Sequence, residues 1–359
     1  MLAGLRIFRP VPVLALLALL VFGLGAGAAR ADRLRDHALT LFAPLPARID
    51  SLHGEPVTPE KVQLGWQMFF DPRLSDSGQF ACATCHNPAT GGDDNRATAI
   101  GHLWQDGPQN APTIFNATLN TARFWQGWSE DLRREREWLL ETAAERTGSP
   151  ERVVGVLRSM PDYVQGFTAA FPGQADPVTY ANFARALAAY ETTLLTPAPF
   201  DDWLRGDDAA LSPAAREGLA LFIDTGCANC HQGVNLGGGD YYPFRVVRVP
   251  GTEGQAEDLS CFAVEDDAEG AYLFRAGTLR NIARTAPYFS EGAVWSLPLA
   301  VRLMGRSQLG VELTDAEVDS LLAFLDSLTG RVPDIRLPVL PVETATTPAP
   351  QPGPGVGRP

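Results

Sequence analysis

The sequence predicts an all-α fold with few short strands, organised as two similar halves. Apolar residues recur at helical spacing in several segments. One Cys-X-X-Cys-His pentad occurs in each half, and a glycine followed four residues later by a phenylalanine precedes both pentads. With 359 residues, the chain is long enough for two domains that each bury a core.

Two segments show the helical pattern most clearly. Thr314 and Glu317 form a capping box, and the apolar residues that follow lie on one face as far as Gly330. The stripe at residues 180–194 has the same spacing. Both stripes are expected to face a core. Few strands are expected, among them one around residues 244–249, where β-branched residues cluster.

A proline-capped helix is predicted before each pentad. Thr58-Pro59 and Ser212-Pro213 have the residues that begin helices, and both helices lead towards a pentad. The residues around the pentads repeat as well, and a duplicated domain explains the repeat economically. The repeated positions are Gly65, Phe69 and Gly91-Gly92 in the first half, and Gly218, Phe222 and Gly237-Gly238 in the second.

The pentads have the pattern of covalent c-type haem attachment. Cysteines at i and i+3 lie on one side of a helical turn, where their sulfurs can form thioethers to haem, and the adjacent histidine can bind the iron. A disulfide or a zinc site is the alternative, but a histidine directly follows both pairs. We therefore expect two cytochrome c-like domains, each with one covalent haem c. The attaching residues are Cys82, Cys85 and His86 in the first, and Cys227, Cys230 and His231 in the second.

The second axial ligand decides whether a haem only transfers electrons or also binds a reactant. Met304 precedes the last predicted helix, and a thioether there would raise the potential of the second haem. A core position is the alternative for a methionine, and Met68 fits that description. His102 follows the first pentad and offers a removable imidazole, although a lone histidine is more commonly a surface or core residue.

The net charge limits the classes of molecule that the protein is expected to bind. The formal net charge is −13, and removal of the three arginines in the amino-terminal segment takes it to about −16. Such an acidic protein is not expected to bind nucleic acid, and it is compatible with a positively charged electron-donor protein. Cys261 lies outside the pentads and is interpreted as a buried free thiol.

The chain is expected to have four parts. Residues 1–31 have a basic start, an apolar stretch and the cleavage site Ala29-Arg30-Ala31, which together indicate a secretory signal and a periplasmic protein. An uncleaved membrane anchor is the less favoured alternative, since the apolar stretch almost suffices to span a bilayer. The first haem domain is expected at residues 32–199 and the second at 200–335. A Pro/Gly-rich disordered tail is expected at 336–359.

A series of longer motifs runs in order along the chain. They are Leu64-Gly65, 69–75, 82–92, 100–102, 107–113, Phe124-Trp125, 279–281, 285–289, Met304-Gly305 and 308–310. In these motifs the chain resembles bacterial di-haem cytochrome c peroxidases from about Leu64 to Gly330. A series in this order is more specific than any single motif.

The resemblance implies a peroxidase that reduces hydrogen peroxide to water with electrons from a small cytochrome c or cupredoxin. It implies that the first haem is peroxidatic, with His86 on one side and His102 as a ligand displaced on reduction of the second haem. The second haem, with His231 and Met304, would take electrons from the donor. The family is commonly dimeric, so a homodimer is expected.

The resemblance also assigns roles to residues away from the pentads. Trp125 matches a tryptophan between the haems, and Glu135 replaces a glutamine of the distal pocket. Glu145 matches the distal acid, which takes a proton from peroxide and delivers it to the leaving oxygen. Without the resemblance, Glu145 is one acid of a charged helical run. The residues that match a calcium site between the domains, with the oxygen ligands this ion prefers, are Asn110, Thr285 and Pro287.

Several positions depart from the family pattern, and two alternative functions remain. The departures are Ser290 for histidine, Gln126 and Trp128 for Asp and Arg, and Glu137-Trp138 for Gly-Pro. One alternative is the related di-haem enzyme that uses peroxide to oxidise tryptophans of a partner protein, but its second haem has a tyrosine where this chain has Met304. The other is a plain electron-transfer cytochrome, in which both haems stay six-coordinate after half-reduction.

Overall fold

The computed structural model describes residues 33–101, 106–107, 109–121, 126–127, 149–243 and 273–351. Over these ranges the fold is mostly helical with a few short strands, which confirms the predicted fold class. No helix among the described residues is long and apolar enough to cross a membrane. The signal-like segment and the strand expected at 244–249 lie outside the described ranges.

The described elements alternate single helices with short loops. The helices are α1 (residues 33–41), α2 (Pro59–Phe69), α3 (Cys82–Cys85), α4 (Pro150–Ser159), α5 (Pro161–Ala170), α6 (Tyr180–Glu191), α7 (Pro199–Leu204), α8 (Pro213–Asp224), α9 (Leu297–Met304) and α10 (Asp315–Asp326). The strands are β1 (Ser51–Leu52), β2 (Glu55–Pro56), β3 (Gln126–Gly127), β4 (Tyr241–Pro243) and β5 (Leu273–Arg275). β1 and β2 pair with each other, and the second sheet has the antiparallel order β3-β5-β4.

The predicted helix starts are confirmed by their caps. The side chains of Thr58 and Ser212 accept hydrogen bonds from the backbone N–H three residues on, at 3.3 and 3.1 Å. Thr314 accepts from the Glu317 N–H at 3.3 Å, while the Glu317 carboxylate accepts from the Thr314 N–H at 2.8 Å. Each such cap contributes about 1 kcal/mol to helix stability.

The helix that precedes each pentad crosses a later helix of the same half, and the two crossings are alike. In the first half α2 meets α6 at Gly65, where an added Cβ would lie 1.9 Å from the carbonyl oxygen of Ala186. In the second half α8 meets α10 at Gly218, where an added Cβ would lie 1.9 Å from the carbonyl oxygen of Ser320. Only glycine allows backbones to approach so closely. The repeat of Gly65 and Gly218 therefore has a structural basis.

Each half has its own core. Helix α1 was expected to belong to the first half, but it packs in the core of the second half. Helices α2, α4, α5 and α6 enclose the first core, in which Met68 is fully buried, as predicted. Ala38 of α1 and the adjacent Phe42 pack with Phe200 and Trp203 in the second core. Placing α1 in a domain of residues 32–199 is therefore wrong for the packing, because its apolar face is buried by the second half.

The carboxy-terminal segment is ordered against the first half. Trp66 of α2 donates its indole N–H to the carbonyl oxygen of Arg336 at 2.7 Å, and the hydroxyl of Thr344 donates to the carbonyl oxygen of Ser159 at 2.9 Å. Further on, the backbone N–H of Gln351 bonds to a carbonyl of the loop after α2. The disordered tail expected from residue 336 is thus wrong for residues 336–351, because side chains of the first half satisfy their extended backbone. We call residues 334–351 the strap.

Buried polar side chains join the halves where the domain boundary is expected. Asn116 donates from its side-chain amide to the Thr196 hydroxyl at 2.8 Å, and Asn281 donates to the same hydroxyl at 2.9 Å. Asn116 and Asn281 have φ values of 60° and 62°, in the left-handed region that asparagine tolerates. Asn235 donates to the backbone oxygen of Asn116 at 3.0 Å. The linker between the halves is therefore fixed by hydrogen bonds rather than free to hinge.

Candidate functional site

The second pentad prepares His231 to bind a metal ion. The backbone N–H of His231 bonds to the carbonyl oxygen of Cys227 at 3.0 Å, which closes a short turn. The ring Nδ1 lies 3.2 Å from the carbonyl oxygen of Leu236 and 3.1 Å from that of Gly277. Since carbonyl oxygens only accept, Nδ1 carries the proton and Nε2 keeps its lone pair. Burial lowers the pKa of His231, which favours the neutral ring that binds metals.

A cavity of about 630 Å³ opens beside this pentad. Cys227, Cys230 and His231 line it, and α9 brings Met304 to the same cavity from the end of the helix. Most of the remaining lining is apolar, as in pockets that enclose a large flat cofactor. Imidazole and thioether are the axial pair of electron-transfer cytochromes, so the residues present fit a haem c.

The first pentad repeats this arrangement in part. Helix α3 is a single turn that carries Cys82 and Cys85, and the N–H of His86 bonds to the carbonyl oxygen of Cys82 at 2.9 Å. Nδ1 of His86 lies 2.9 Å from the carbonyl oxygen of Pro112, so its Nε2 is also the nitrogen left for a metal. Burial, with a smaller contribution from Glu191, raises the pKa of Cys82 to about 12. The sulfur that would become a thioether is thus a neutral, buried group.

Both pentads fit covalent haem better than the alternatives. The cysteines of each pentad are not bonded to one another, so neither pair forms a disulfide. The second pentad also has a cavity of the volume and apolar character that a haem requires. A zinc site of these residues would need no such cavity. The two covalent haems are therefore the cofactors that the residues accommodate.

Several predicted site residues lie outside the described ranges. These are His102, Trp125, Glu135 and Glu145, together with Cys261, Trp128 and Glu137-Trp138. Their roles stay predictions. Of the departures from the family pattern, Ser290 is described, and its carbonyl oxygen accepts a hydrogen bond from the Asn110 N–H at 2.7 Å.

The residues predicted to hold calcium come from both halves of the chain and line one cavity. Asn110, Thr285 and Pro287 line the cavity described above, together with other residues of the first half such as Gln109. The side-chain amide nitrogen of Asn110 donates to the carbonyl oxygen of Arg96 at 2.7 Å, which fixes the orientation of the amide. Amide and backbone carbonyl oxygens are ligands that suit a hard cation. The donor set therefore fits calcium, and the ion itself stays a proposal.

The sequence did not single out Asp93, which lines the same part of the cavity. It is only 2% exposed, and its Oδ1 accepts hydrogen bonds from the backbone and the side chain of Asn95 at 2.9 and 2.7 Å. Burial, with a smaller contribution from Asp94, raises the pKa of Asp93 to about 7. The signal in the sequence was the run Asp93-Asp94-Asn95, three polar residues directly after the paired glycines.

Comparison with known sequences identifies both halves. Residues 59–209 match the family described as di-haem cytochrome c peroxidase, and residues 215–329 match the cytochrome c family. The chain is 46% identical to a cytochrome c551 peroxidase of Pseudomonas aeruginosa, over 90% of this chain and 94% of that protein. It is 41% identical to a cytochrome c551 peroxidase of Nitrosomonas europaea, over 82% and 89% of the two chains.

More distant relatives include proteins with other names. The methylamine utilization protein MauG of Methylorubrum extorquens is 32% identical, over 94% of this chain and all of that protein. Among solved structures, a MauG-like protein associated with microbial copper homeostasis superposes with a TM-score of 0.65 at 26% identity, over 80% of this chain and 95% of that one. The di-haem peroxidase BthA of Burkholderia thailandensis superposes with a TM-score of 0.59 at 18% identity, over 86% and 94% of the two chains, which supports the fold alone.

Proposed function

The chain belongs to the di-haem cytochrome c peroxidase family, and we propose that it reduces hydrogen peroxide to water with electrons from a small cytochrome c or cupredoxin. The observation that carries this proposal is the cavity of the second half, where Met304 and His231 line one space beside a haem-attachment pentad. Such a pair of ligands gives a haem of high potential, which accepts electrons readily from a soluble donor.

The first half is the place of the reaction with peroxide. When bound there, haem supplies the iron at which peroxide accepts two electrons. His86 would bind that iron through Nε2, since its Nδ1 is bonded to Pro112. His102 would leave the iron when the second half is reduced. Glu145 would take a proton from peroxide and return it to the leaving oxygen, so that two protons and two electrons give two molecules of water.

Peroxide turnover with reduced cytochrome c tests this function. Glu145→Gln should lower kcat by about 100-fold or more, which is the scale of general acid-base groups. His102→Ala should leave the first haem high-spin in the oxidised protein. A first haem that stays low-spin and bis-ligated in this variant would contradict the assignment of His102.

A reductive titration followed by absorption and electron spin resonance separates the peroxidase from a plain electron-transfer cytochrome. We expect half-reduction to convert the first haem from six-coordinate to five-coordinate. If both haems stay six-coordinate and peroxide is not turned over, the chain is an electron-transfer protein. Modification of tryptophans in a co-purified protein, without turnover of reduced cytochrome c, would instead indicate the activity of the tryptophan-oxidising relatives; the presence of Met304 argues against it.

The donor would dock where α9 reaches the surface. Trp295, just before α9, is 62% exposed and Leu299, on its first turn, is 47% exposed. The rise of a helix places Leu299 about 7.5 Å along the axis from Met304. Tryptophan is enriched at the energetic centre of protein interfaces, so an exposed tryptophan close in sequence to the helix that carries Met304 is suited to contact a protein donor.

Steady-state kinetics with the protein donor test this surface. Trp295→Ala should raise KM for reduced cytochrome c about tenfold, because an interface tryptophan contributes about 1–2 kcal/mol or more. Turnover with a small chemical reductant should not change. The control is Val164→Ala, which truncates an exposed apolar side chain of the first half. An equal effect of the two substitutions would exclude a donor site at Trp295.

We also propose a calcium ion at Asn110, Thr285 and Pro287, a homodimer, and a periplasmic location after cleavage of residues 1–31. The oxygen donors that meet between the halves support the calcium ion. The secretory pattern of the amino terminus supports export. The family resemblance supports the dimer. Metal analysis, amino-terminal sequencing of the periplasmic protein and sedimentation equilibrium test the three proposals.

A further inference from the structure

Asp93 is a buried carboxylate without a positive partner among the described residues. Its Oδ1 accepts two hydrogen bonds, both from the neutral Asn95. No lysine or arginine of the described chain forms a salt bridge with it, and the nearby Asp94 adds repulsion. A buried carboxylate in this situation is costly unless a cation compensates its charge. A positive group near Asp93 would therefore stabilise the buried carboxylate, and the described residues do not provide one.

The loop that carries Asp93 packs directly on the loop that carries the proposed calcium ligands. The side-chain amide of Asn95 donates both to Asp93 Oδ1 and, at 3.0 Å, to the carbonyl oxygen of Ala286. At Gly91, which has a φ of +93°, an added Cβ would lie 2.8 Å from the carbonyl oxygen of Arg284. The oxygen-bearing residues that line the cavity here are Asp93, Asn110, Thr285 and Pro287.

We propose that the Asp93 carboxylate supplies the negative charge that binds a hard divalent cation between the two halves. Neutral oxygens from Asn110, Thr285 and Pro287 complete the donor set. This inference rests on the calcium site proposed above and extends it, since those three oxygens carry no formal charge. The number of charged ligands is a main determinant of calcium affinity in proteins. The cation in turn compensates a carboxylate that the fold otherwise buries alone.

Calcium binding to the chelator-treated holoenzyme tests the proposal, with calcium chloride as the probe in titration calorimetry. Asp93→Asn keeps an acceptor for the Asn95 N–H and removes the charge, so Kd should rise about tenfold or more. The matched control is Asp94→Asn, which removes the same charge one residue away. The Asp94 side chain accepts from the Arg96 N–H at 3.1 Å. Its Kd should stay within about threefold of wild type, since Asp94 does not line the cavity where the cation would bind. Equal Kd values for the two variants overturn the proposal.

Thermal unfolding of the same proteins distinguishes the charge from a purely structural role. Without calcium, Asp93→Asn should unfold at a higher temperature than wild type, because it removes an uncompensated buried charge. With saturating calcium the order should reverse, because the wild type gains more from the ligand. A variant that is less stable than wild type in both conditions contradicts the proposal. If Asp93→Asn does not fold, Asp93→Ser serves for both measurements, since its hydroxyl can accept the same bond.

The outcomes keep this inference separate from the peroxidase function. A wild-type protein that binds no calcium contradicts the cation site and the role of Asp93 together. Turnover of peroxide with reduced cytochrome c is measured independently. A peroxidase that binds no calcium would therefore leave the proposed function intact and remove only this inference.

Discussion

The two halves hold their pentads with the same backbone devices. In each, a proline-started helix crosses a second helix at a glycine, and the proximal histidine directs Nδ1 at a backbone carbonyl. A left-handed asparagine, Asn116 or Asn281, follows in both. What repeats is thus the side of the site that attaches and orients the cofactor.

The halves differ in the residues that reach the haem site from the side opposite the proximal histidine. In the second half α9 presents Met304 to the cavity, followed by a turn of π-helix at Gly305–Leu309. In the first half the corresponding candidates, His102 and Glu145, are predictions from the sequence and lie outside the described ranges. The comparison teaches that one scaffold serves both halves. Under the proposed function, the groups that approach the haem from the other side would decide which half transfers electrons and which reduces peroxide.

The largest expected effect comes from breaking the shared helix crossing. Gly65→Ala and Gly218→Ala would each place a Cβ 1.9 Å from a backbone oxygen. The helices would have to separate, so each variant should lose about 3 kcal/mol or more of unfolding free energy. Denaturant unfolding of the holoenzyme measures this.

The control for both substitutions is Gly155→Ala in α4. An added Cβ there meets only Pro348, at 3.8 Å, so the change should be neutral or stabilise by up to about 1 kcal/mol through helix propensity. If one crossing glycine tolerates alanine and the other does not, the halves are not equivalent scaffolds.

A smaller effect is expected from making the second half resemble a bis-histidine site. Met304→His should lower the potential of the second haem by on the order of 100 mV, because imidazole stabilises the oxidised iron more than a thioether does. The potential of the first haem should change little. Spectroelectrochemical titration measures the two haem potentials separately.

Met68→Leu is the matched control, since Met68 is fully buried in the first core and far from any expected ligand role. It should leave both potentials unchanged and cost less than about 1.5 kcal/mol. Unchanged potentials in Met304→His as well would show that Met304 is not an axial ligand.

The smallest effect should come from the strap, which only the first half carries. Deleting residues 334–359 removes hydrogen bonds from Trp66, Arg73 and Thr344, each worth about 1 kcal/mol before the entropy of ordering the strap is subtracted. Hydrogen exchange should accelerate in α2 and α4 and stay constant in α8 and α10. Leu337→Ser, at an exposed strap position, should change neither. Acceleration in both halves would mean that the strap acts on the whole molecule.

Local sequence patterns predicted the features of the fold that depend on interactions between neighbouring residues or on a single contact. The capping box at Thr314 and the glycine repeat at Gly65 and Gly218 depend on neighbouring residues or on one close contact, and both were found. The strap was missed, because a Pro-rich composition indicates only that no helix or sheet forms. Its order depends on donors such as Trp66, which lies 270 residues away from its acceptor.

Long-range packing explains the other differences. The apolar stripe of α1 shows that the helix buries a face, but no local pattern names the core that receives it. Asp93 was missed for a related reason, since an acidic residue after paired glycines is ordinarily a solvated turn. The loop at Arg284, which packs on Gly91 close to Asp93, comes from the other half of the chain, and no local pattern predicts this contact.

Helix α1 near the amino terminus packs on the second half, and the carboxy-terminal strap packs on the first half. This arrangement determines the order in which the two halves can be completed during synthesis. Helix α1 is synthesised first, yet its apolar face stays uncovered until Phe200 and Trp203 have been made. The first half lacks its strap until the last described residues, 334–351, are available. The first pentad emerges before helices α4 to α6, which close the first core, and the second pentad emerges before α10, which closes the second. Each pentad can therefore be reached for haem attachment while the core around it is still open. Neither half is a module that finishes folding by itself.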